Sequence, residues 1–342
     1  MSRSWDKVDI NNVVGEHPFL DKPHHGPRGF LNPPSPHRDG RVGAGMGRVL
    51  WQLAREGNRP VAFAAPDARP REQALSEIRA HKTGQAGMPL TWLGQSCFYF
   101  RAGPLGIVTD PFLGARASPF SFSGPKRLAP RPLSLSDLDF DVIVMSHNHY
   151  DHFCSETLAA VKDKHTRLVV TTLGLAPAFR KLGYRHVYEL DWYQTLSCQG
   201  VEFTALPAYH FSGRSLWDTD RTLWASFAIH GPDRRVFFAG DTGYGPEFAR
   251  MGQLLGECDI GLVPIGAYGP REVFAQVHAD PLEAVKMGRD VRARHLVGMH
   301  WGTLRLTTEP FWEPREEFLH HLEAMQVSGS VLGIGETRVI SA

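Results

Sequence analysis

The densest chemistry in this 342-residue chain is the run Ser146-His147-Asn148-His149-Tyr150-Asp151-His152. From position 147 to 152 it carries three imidazoles and a carboxylate. Those are the borderline-to-hard donors that suit zinc, manganese or iron. In an extended segment His147 and His149 point the same way, because side chains alternate with a period of two. Asp151 and His152 follow where the chain turns. They can address a second point about 3.5 Å away, the usual separation in two-metal sites. One loop cannot fill two coordination shells, so further donors are expected from other strand ends. Three residues stand in that context: His210 after Phe203-Thr-Ala-Leu-Pro-Ala-Tyr, Asp241 in Phe237-Phe-Ala-Gly-Asp-Thr-Gly, and His300 closing His295-Leu-Val-Gly-Met. Each has an ordinary reading by itself, as a surface or core histidine or as an aspartate in a turn. Beside the 147–152 loop they read as ligands.

The elements that must hold these residues follow from periodicity. The apolar run 140–145 suits a buried strand and a helix is expected from near Ser155, so the histidine loop lies at a strand's carboxyl end, where α/β folds place ligands. Further strand-like runs fall at 90–94, 97–100, 106–110, 168–172, 201–205, 223–229, 236–239, 260–263 and 295–299. Helical patterns cover 70–82, 154–164, 174–182, 246–255, 281–292 and 314–325. Many strands with helices between them argue for a layered α/β protein. No linker interrupts the chain after Leu90, so 89–342 is expected to be one unit and 1–88 an extension packed on it. Residues 24–34 are rich in Pro, Gly and His and are expected as extended coil over a surface, with His24, His25 and His37 solvated rather than metal-binding. Residues 49–55 suit one or two amphipathic turns.

Composition removes several classes. Hydrophobic residues make up 42% and charged residues 21%, which is globular. Lys+Arg (37) and Asp+Glu (36) nearly cancel, so no global field attracts nucleic acid. The four cysteines are widely spaced without a Cys-x-x-Cys pair, so neither a disulfide framework nor a thiolate zinc site is expected. No signal peptide and no apolar run of about 18 residues is visible, which points to the cytosol.

With these residues in view, the pattern His-x-His-x-Asp-His, then lone His, Asp and His at strand ends, resembles the metallo-β-lactamase fold superfamily. The resemblance implies a four-layered αββα sandwich with two metals at one edge. His147, His149 and His210 would hold one metal, Asp151, His152 and His300 the other, with Asp241 bridging. It also implies that Asp110, in Val108-Thr-Asp-Pro111, holds a ligand imidazole by its other nitrogen. Longer motifs narrow it. Ala117-Ser-Pro, Gly124-Pro-Lys-Arg, Ser146 to His152, Glu189-Leu-Asp-Trp192, Phe238-Ala-Gly-Asp-Thr-Gly-Tyr244, Pro264-Ile-Gly-Ala-Tyr-Gly-Pro-Arg271 and His300-Trp-Gly-Thr303 are similar to the N-acyl-phosphatidylethanolamine-hydrolysing phospholipase D family, from about residue 45 to near the C-terminus. Gln95 and Tyr209 depart from it: many superfamily members have His at the first, and the mammalian phospholipases have Gln at the second.

What the resemblance implies is hydrolysis of N-acyl-phosphatidylethanolamine to an N-acylethanolamine and phosphatidic acid. The expected cofactors are two divalent ions, zinc first, with manganese or iron fitting the same donors. A hydroxide shared by the metals would attack phosphorus, oriented by Asp151 and Asp241. His278, in Gln276-Val-His-Ala-Asp-Pro281, would contact the phosphate or protonate the leaving group, and Tyr150 would touch the phosphate. The expected partners are a phospholipid or other phosphodiester and no nucleic acid. Peripheral contact with the inner face of the membrane, through aromatics at 112–122 and 211–217 and the cations Lys126 and Arg127, is compatible with the sequence. So is a homodimer. A lactonase or cyclic-nucleotide phosphodiesterase on the same site is the alternative. A non-enzymatic sensor is disfavoured by the full ligand set.

Overall fold

The apolar runs pair into two stacked sheets. In the computed structural model, which describes residues 5, 7–12, 19–36, 45–64, 67–81, 87–215 and 217–341, one sheet has seven strands. Their order is Thr337–Ile340, Met88–Gly94, Cys97–Ala102, Leu105–Thr109, Val142–Val144, Leu168–Thr172 and His186–Leu190. The other has eight, in the order Asp9–Asn12, Gln194–Cys198, Val201–Leu206, Ser226–His230, Arg235–Phe238, Cys258–Pro264, Ala293–Met299 and Gly329–Ser330. Each sheet is part antiparallel and part parallel. The parallel pairs run from Leu105–Thr109 to His186–Leu190 in the first and from Arg235–Phe238 to Gly329–Ser330 in the second. Parallel neighbours need crossovers, and the helices Ala176–Lys181, Glu247–Leu255, Pro281–Asp290 and Glu313–Ala324 lie in them.

The strand Val142–Val144 shows why its stretch reads as continuously apolar. Val142 and Val144 enter the core between the sheets with Phe98, Phe203 and Leu262. Ile143 and the flanking Met145 face the other way, onto Leu158 and Phe179. A strand buried on both faces loses the usual alternation. On the far side Ala284, Val285 and Met287 of the helix Pro281–Asp290, and Phe318 of Glu313–Ala324, cover the second sheet. Helix, sheet, sheet and helix make the four-layered αββα sandwich.

Some expected boundaries move. The helix expected over 154–164 stops after Ser155–Ala159. The run 223–229 joins its sheet only at Ser226, because the Leu223 and Ala225 N–H groups donate to Leu173 O and Ser146 O instead. Those two bonds tie the run to the loops that follow two strands of the other sheet. Strands His186–Leu190 and Gln194–Cys198 were not expected, since their half-buried patterns carry little apolar signal.

The N-terminal segment differs most. Asp9–Asn12 adds a strand beside Gln194–Cys198, and Trp5 and Phe19 enter the main core. Residues 24–34 are not bare coil: His25–Gly26 pairs with Gly29–Phe30. His24 is buried rather than solvated, stacked on Trp192 and bonded to Asp191. His25 reaches the same carboxylate, and His37 lies outside the described residues. The helix Met46–Glu56 buries Val49 and exposes Leu50 and Trp51.

Candidate metal centre

The site assembles where strands end. Met145 N donates to Val170 O, and the chain then turns into the histidine loop. Asp110, just past Leu105–Thr109, fixes the start of that loop: its carboxylate accepts from Ser146 N at 2.7 Å, Ser146 Oγ at 2.5 Å and His152 Nδ1 at 2.7 Å. Ser146 Oγ stands 2.8 Å from His147 Nδ1. Asp241 follows Gly240, whose φ is +59° and where a Cβ would sit 2.8 Å from Ser146 Cβ. Glycine is required there for both reasons. His300 and Asp110 have φ of 60° and 30° without being glycine. Non-glycine residues hold that region only where the surroundings over-determine them, and they concentrate at functional sites.

Seven side chains converge in two contiguous groups. His147 Nε2 and His210 Nε2 lie 2.9 and 3.1 Å from His149 Nδ1. Asp151, His152, Asp241 and His300 form the second group. There His300 Nε2 is 3.1 Å from Asp151 Oδ2 and 3.0 Å from Asp241 Oδ2, and His152 Nε2 is 3.1 Å from Asp241 Oδ2. Asp241 Oδ2 also reaches toward the first group, 3.8 Å from His210 Nε2. Donors on a tetrahedral zinc with bonds of about 2.0–2.1 Å stand about 3.3 Å apart. The cluster therefore has the spacing of ligand sets. Among the described residues Asp241 Oδ1 is also buried there without a hydrogen-bond partner, a costly state for a finished protein core.

The electrostatics point the same way. Burial, with the neighbouring imidazoles, pushes His147 well down, His149 to about 3 and His210 to about 4. Three neutral rings thus present lone pairs. His300 is driven the other way, to about 9: burial opposes this, but Asp241 and Asp151 outweigh it. His152 is raised similarly against burial, by Asp241, Asp151 and Asp110. Burial would raise Asp151 and Asp241, yet His152 and His300 hold both well below the usual carboxylate range. In the second group two buried carboxylates draw protons onto two imidazoles to balance their charge, and divalent ions would supply that positive charge directly. The residues present fit a pair of such ions.

Other expected residues fall as follows. Asp110 binds the far nitrogen of His152. His278 is buried at the rim of the cluster, its ring stacked 5.4 Å from His300, and its Nδ1 has no partner among the described residues. Its nearness to His210 and Asp241 makes a third set of ligand type. Tyr150 lines a 410 Å³ cavity with Phe120, Phe153, Arg116 and Arg214. Its hydroxyl donates to Arg214 O, and the Arg214 guanidinium lies 3.8 Å over its ring. Gln95 donates from Nε2 to Asp151 Oδ2 at 2.8 Å, taking the place beside that ligand. Tyr209 is buried, its hydroxyl accepting from Glu247 N. Arg127 does not face lipid: it is buried and donates to Leu93 O and Phe112 O. Phe112 and Leu113 are core, whereas Phe122 and Trp217 are 80% and 88% exposed, and Phe120 and Phe211 are exposed too. Sequence reasoning missed Asn32, whose side chain binds the His210 backbone. An Asn before two prolines in a polar stretch carries no signal of that contact.

Comparison with known proteins fits this geometry. A β-lactamase superfamily domain matches residues 106–301. An uncharacterised protein of Mycobacterium tuberculosis is 34% identical over 290 residues, 83% of this chain and 75% of the relative. N-acyl-phosphatidylethanolamine-hydrolysing phospholipase D 1 of Caenorhabditis elegans is 36% identical, over 71% of this chain and 72% of the relative. The mitochondrial enzyme of that name from Saccharomyces cerevisiae is 38% identical, over 66% of this chain and 50% of the relative. The isothiocyanate hydrolase from Delia radicum gut bacteria superposes with a TM-score of 0.61 at 18% identity, over 75% of this chain and 100% of that one. The chain belongs to the β-lactamase superfamily and, within it, to the family of the N-acyl-phosphatidylethanolamine-hydrolysing phospholipases D. It is a metal-dependent hydrolase of that fold.

Proposed function

We propose that the protein hydrolyses a phosphodiester of the N-acyl-phosphatidylethanolamine type, releasing an N-acylethanolamine and phosphatidic acid. The observation that carries the reading is Asp241: one carboxylate oxygen lies 3.0 and 3.1 Å from His300 and His152 and 3.8 Å from His210, so a single side chain joins both halves of the cluster. When bound, two divalent ions, zinc first and manganese or iron as alternatives, make water nucleophilic at neutral pH and neutralise charge on phosphoryl oxygens.

The protein's own groups divide the remaining work. His147, His149 and His210 form one ligand set and Asp151, His152 and His300 the other, with Asp241 shared. Asp151 and Asp241 accept hydrogen bonds from the attacking water and aim it at phosphorus. The bond from phosphorus to the ethanolamide oxygen breaks, the water oxygen stays on phosphorus, and a proton passes to the leaving alcohol. His278, with an unpartnered ring nitrogen beside the cluster, serves that proton or a phosphoryl oxygen. The cavity walled by Tyr150, Phe153 and Phe120 receives the lipid. Exposed Phe120, Phe122, Phe211 and Trp217 reach the bilayer surface, so the protein works as a peripheral enzyme. Among the described residues no helix is long and apolar enough to cross a membrane.

The test is a substrate panel on metal-replete protein in 18O-water: N-acyl-phosphatidylethanolamine, a p-nitrophenyl phosphodiester and a lactone. The expected result is N-acylethanolamine release with the label in phosphatidic acid. Turnover of the lactone with no cleavage of either diester would overturn the proposal.

A further inference from the structure

We infer that Asn32, on the N-terminal segment, is a positioning residue of the metal centre, holding the His210 backbone so that its imidazole completes the His147–His149–His210 half. This rests on the two-metal reading above.

The strand Val201–Leu206 ends four residues before His210, so the His210 peptide groups lie beyond its ladder. A buried residue cannot leave them unpaired without cost. The Asn32 side chain meets both: Nδ2 donates to His210 O at 2.6 Å and Oδ1 accepts from His210 N at 2.9 Å. The partners fix the amide's orientation, because a backbone N–H only donates and a carbonyl only accepts. One amide therefore does what a neighbouring strand would do. Oδ1 also accepts from Trp224 Nε1 at 3.1 Å. With the backbone held, His210 Nδ1 donates to Val277 O at 3.0 Å. That bond sets the tautomer and leaves Nε2 as a lone pair 3.1 Å from His149 Nδ1.

Asn32 is itself held by the segment around it. His24 and His25 bond to Asp191 at 2.7 and 2.9 Å, with Lys22 at 3.1 Å. Leu31 N donates to His24 O and Phe30 N to Asp220 O. Gly29 permits the last contact, since a Cβ there would lie 2.3 Å from Asp220 O. Pro33 follows Asn32 and disfavours a helical backbone at it. The segment is thus anchored on one strand-exit loop and delivers an amide to another.

The test is zinc affinity of the full-length chain by chelator competition, with thermal melting and circular dichroism beside it. Wild type is expected to hold two ions. Asn32→Ala should weaken one of them by about 10- to 100-fold and leave the other, with an unchanged spectrum. Asn32→Asp, which keeps the acceptor but sets an oxygen against His210 O, should weaken the same ion at least as much. Wild-type constants for both ions in Asn32→Ala would overturn the inference alone. Equal weakening of both, tracking a fall in melting temperature, would reduce Asn32 to a fold element and overturn it as well. Failure of the wild type to bind any divalent ion would instead remove the two-metal reading, and this inference with it.

Discussion

At the residue scale, the centre is defined by charge that has nowhere else to go. Asp241 has one oxygen among three imidazoles and the other without a partner among the described residues. Asp241→Asn keeps the shape but removes the charge shared by both halves, and His147→Ala removes one ligand. Each is expected to abolish nearly all diester hydrolysis while the protein stays folded. Steady-state assays with metal analysis check this; substantial turnover in a metal-replete variant would contradict the assignment. Asp110 acts one step away, through His152 Nδ1 and the Ser146 N–H and hydroxyl. Asp110→Asn should lower metal affinity or activity by about 10- to 100-fold, read as a shift in the chelator concentration that halves activity. An unshifted curve would mean that Asp110 only braces the turn.

At the scale of elements, loops from both sheets must meet at one edge, and specific backbone contacts see to it. Gly240 lets the exit of Arg235–Phe238 press on Ser146, and Ala225 N binds Ser146 O from the same side. The N-terminal segment is tied by Asp191, whose burial would raise its pKa but whose bonds to His24, Lys22 and His25 lower it well below the usual carboxylate range. A carboxylate depressed on folding stabilises above its unfolded pKa of about 3.9, and that stability is lost as pH falls through the window below it. Asp191→Asn should therefore cost about 2 kcal/mol near pH 7. The gap in melting temperature to wild type should begin to narrow only below about pH 4 and shrink further as pH falls toward the depressed folded pKa. Parallel melting curves from pH 7 to 3 test this; a gap that stays constant would exclude the ionic tie.

At the scale of the whole molecule, near-zero net charge leaves contact with lipid to local surface. Phe120, Phe122 and Trp217 stand out on loops adjoining the Tyr150 cavity. Replacing Phe122 and Trp217, which do not line the cavity, with Ser should weaken flotation with anionic vesicles. Hydrolysis of a water-soluble p-nitrophenyl diester should remain within about twofold, because large exposed side chains contribute little to the core. Loss of soluble-substrate turnover in step with flotation would place these rings in the catalytic site instead.

Local sequence determined a good deal here. Three histidines and an aspartate in six positions announce a metal loop without a partner in view, and continuous apolar runs mark strands buried on both faces. His210, Asp241 and His300 were legible only because each follows a strand, a weaker signal that gains weight from the loop. Tertiary structure decided what no short window encodes. Arg127 looked like a surface cation and is buried against carbonyls. His24 looked solvated and is packed under Trp192. Asn32 lies 178 positions from the peptide it clamps. Such contacts depend on which strand ends the two sheets bring together, and that is set by long-range pairing rather than by the residues on either side.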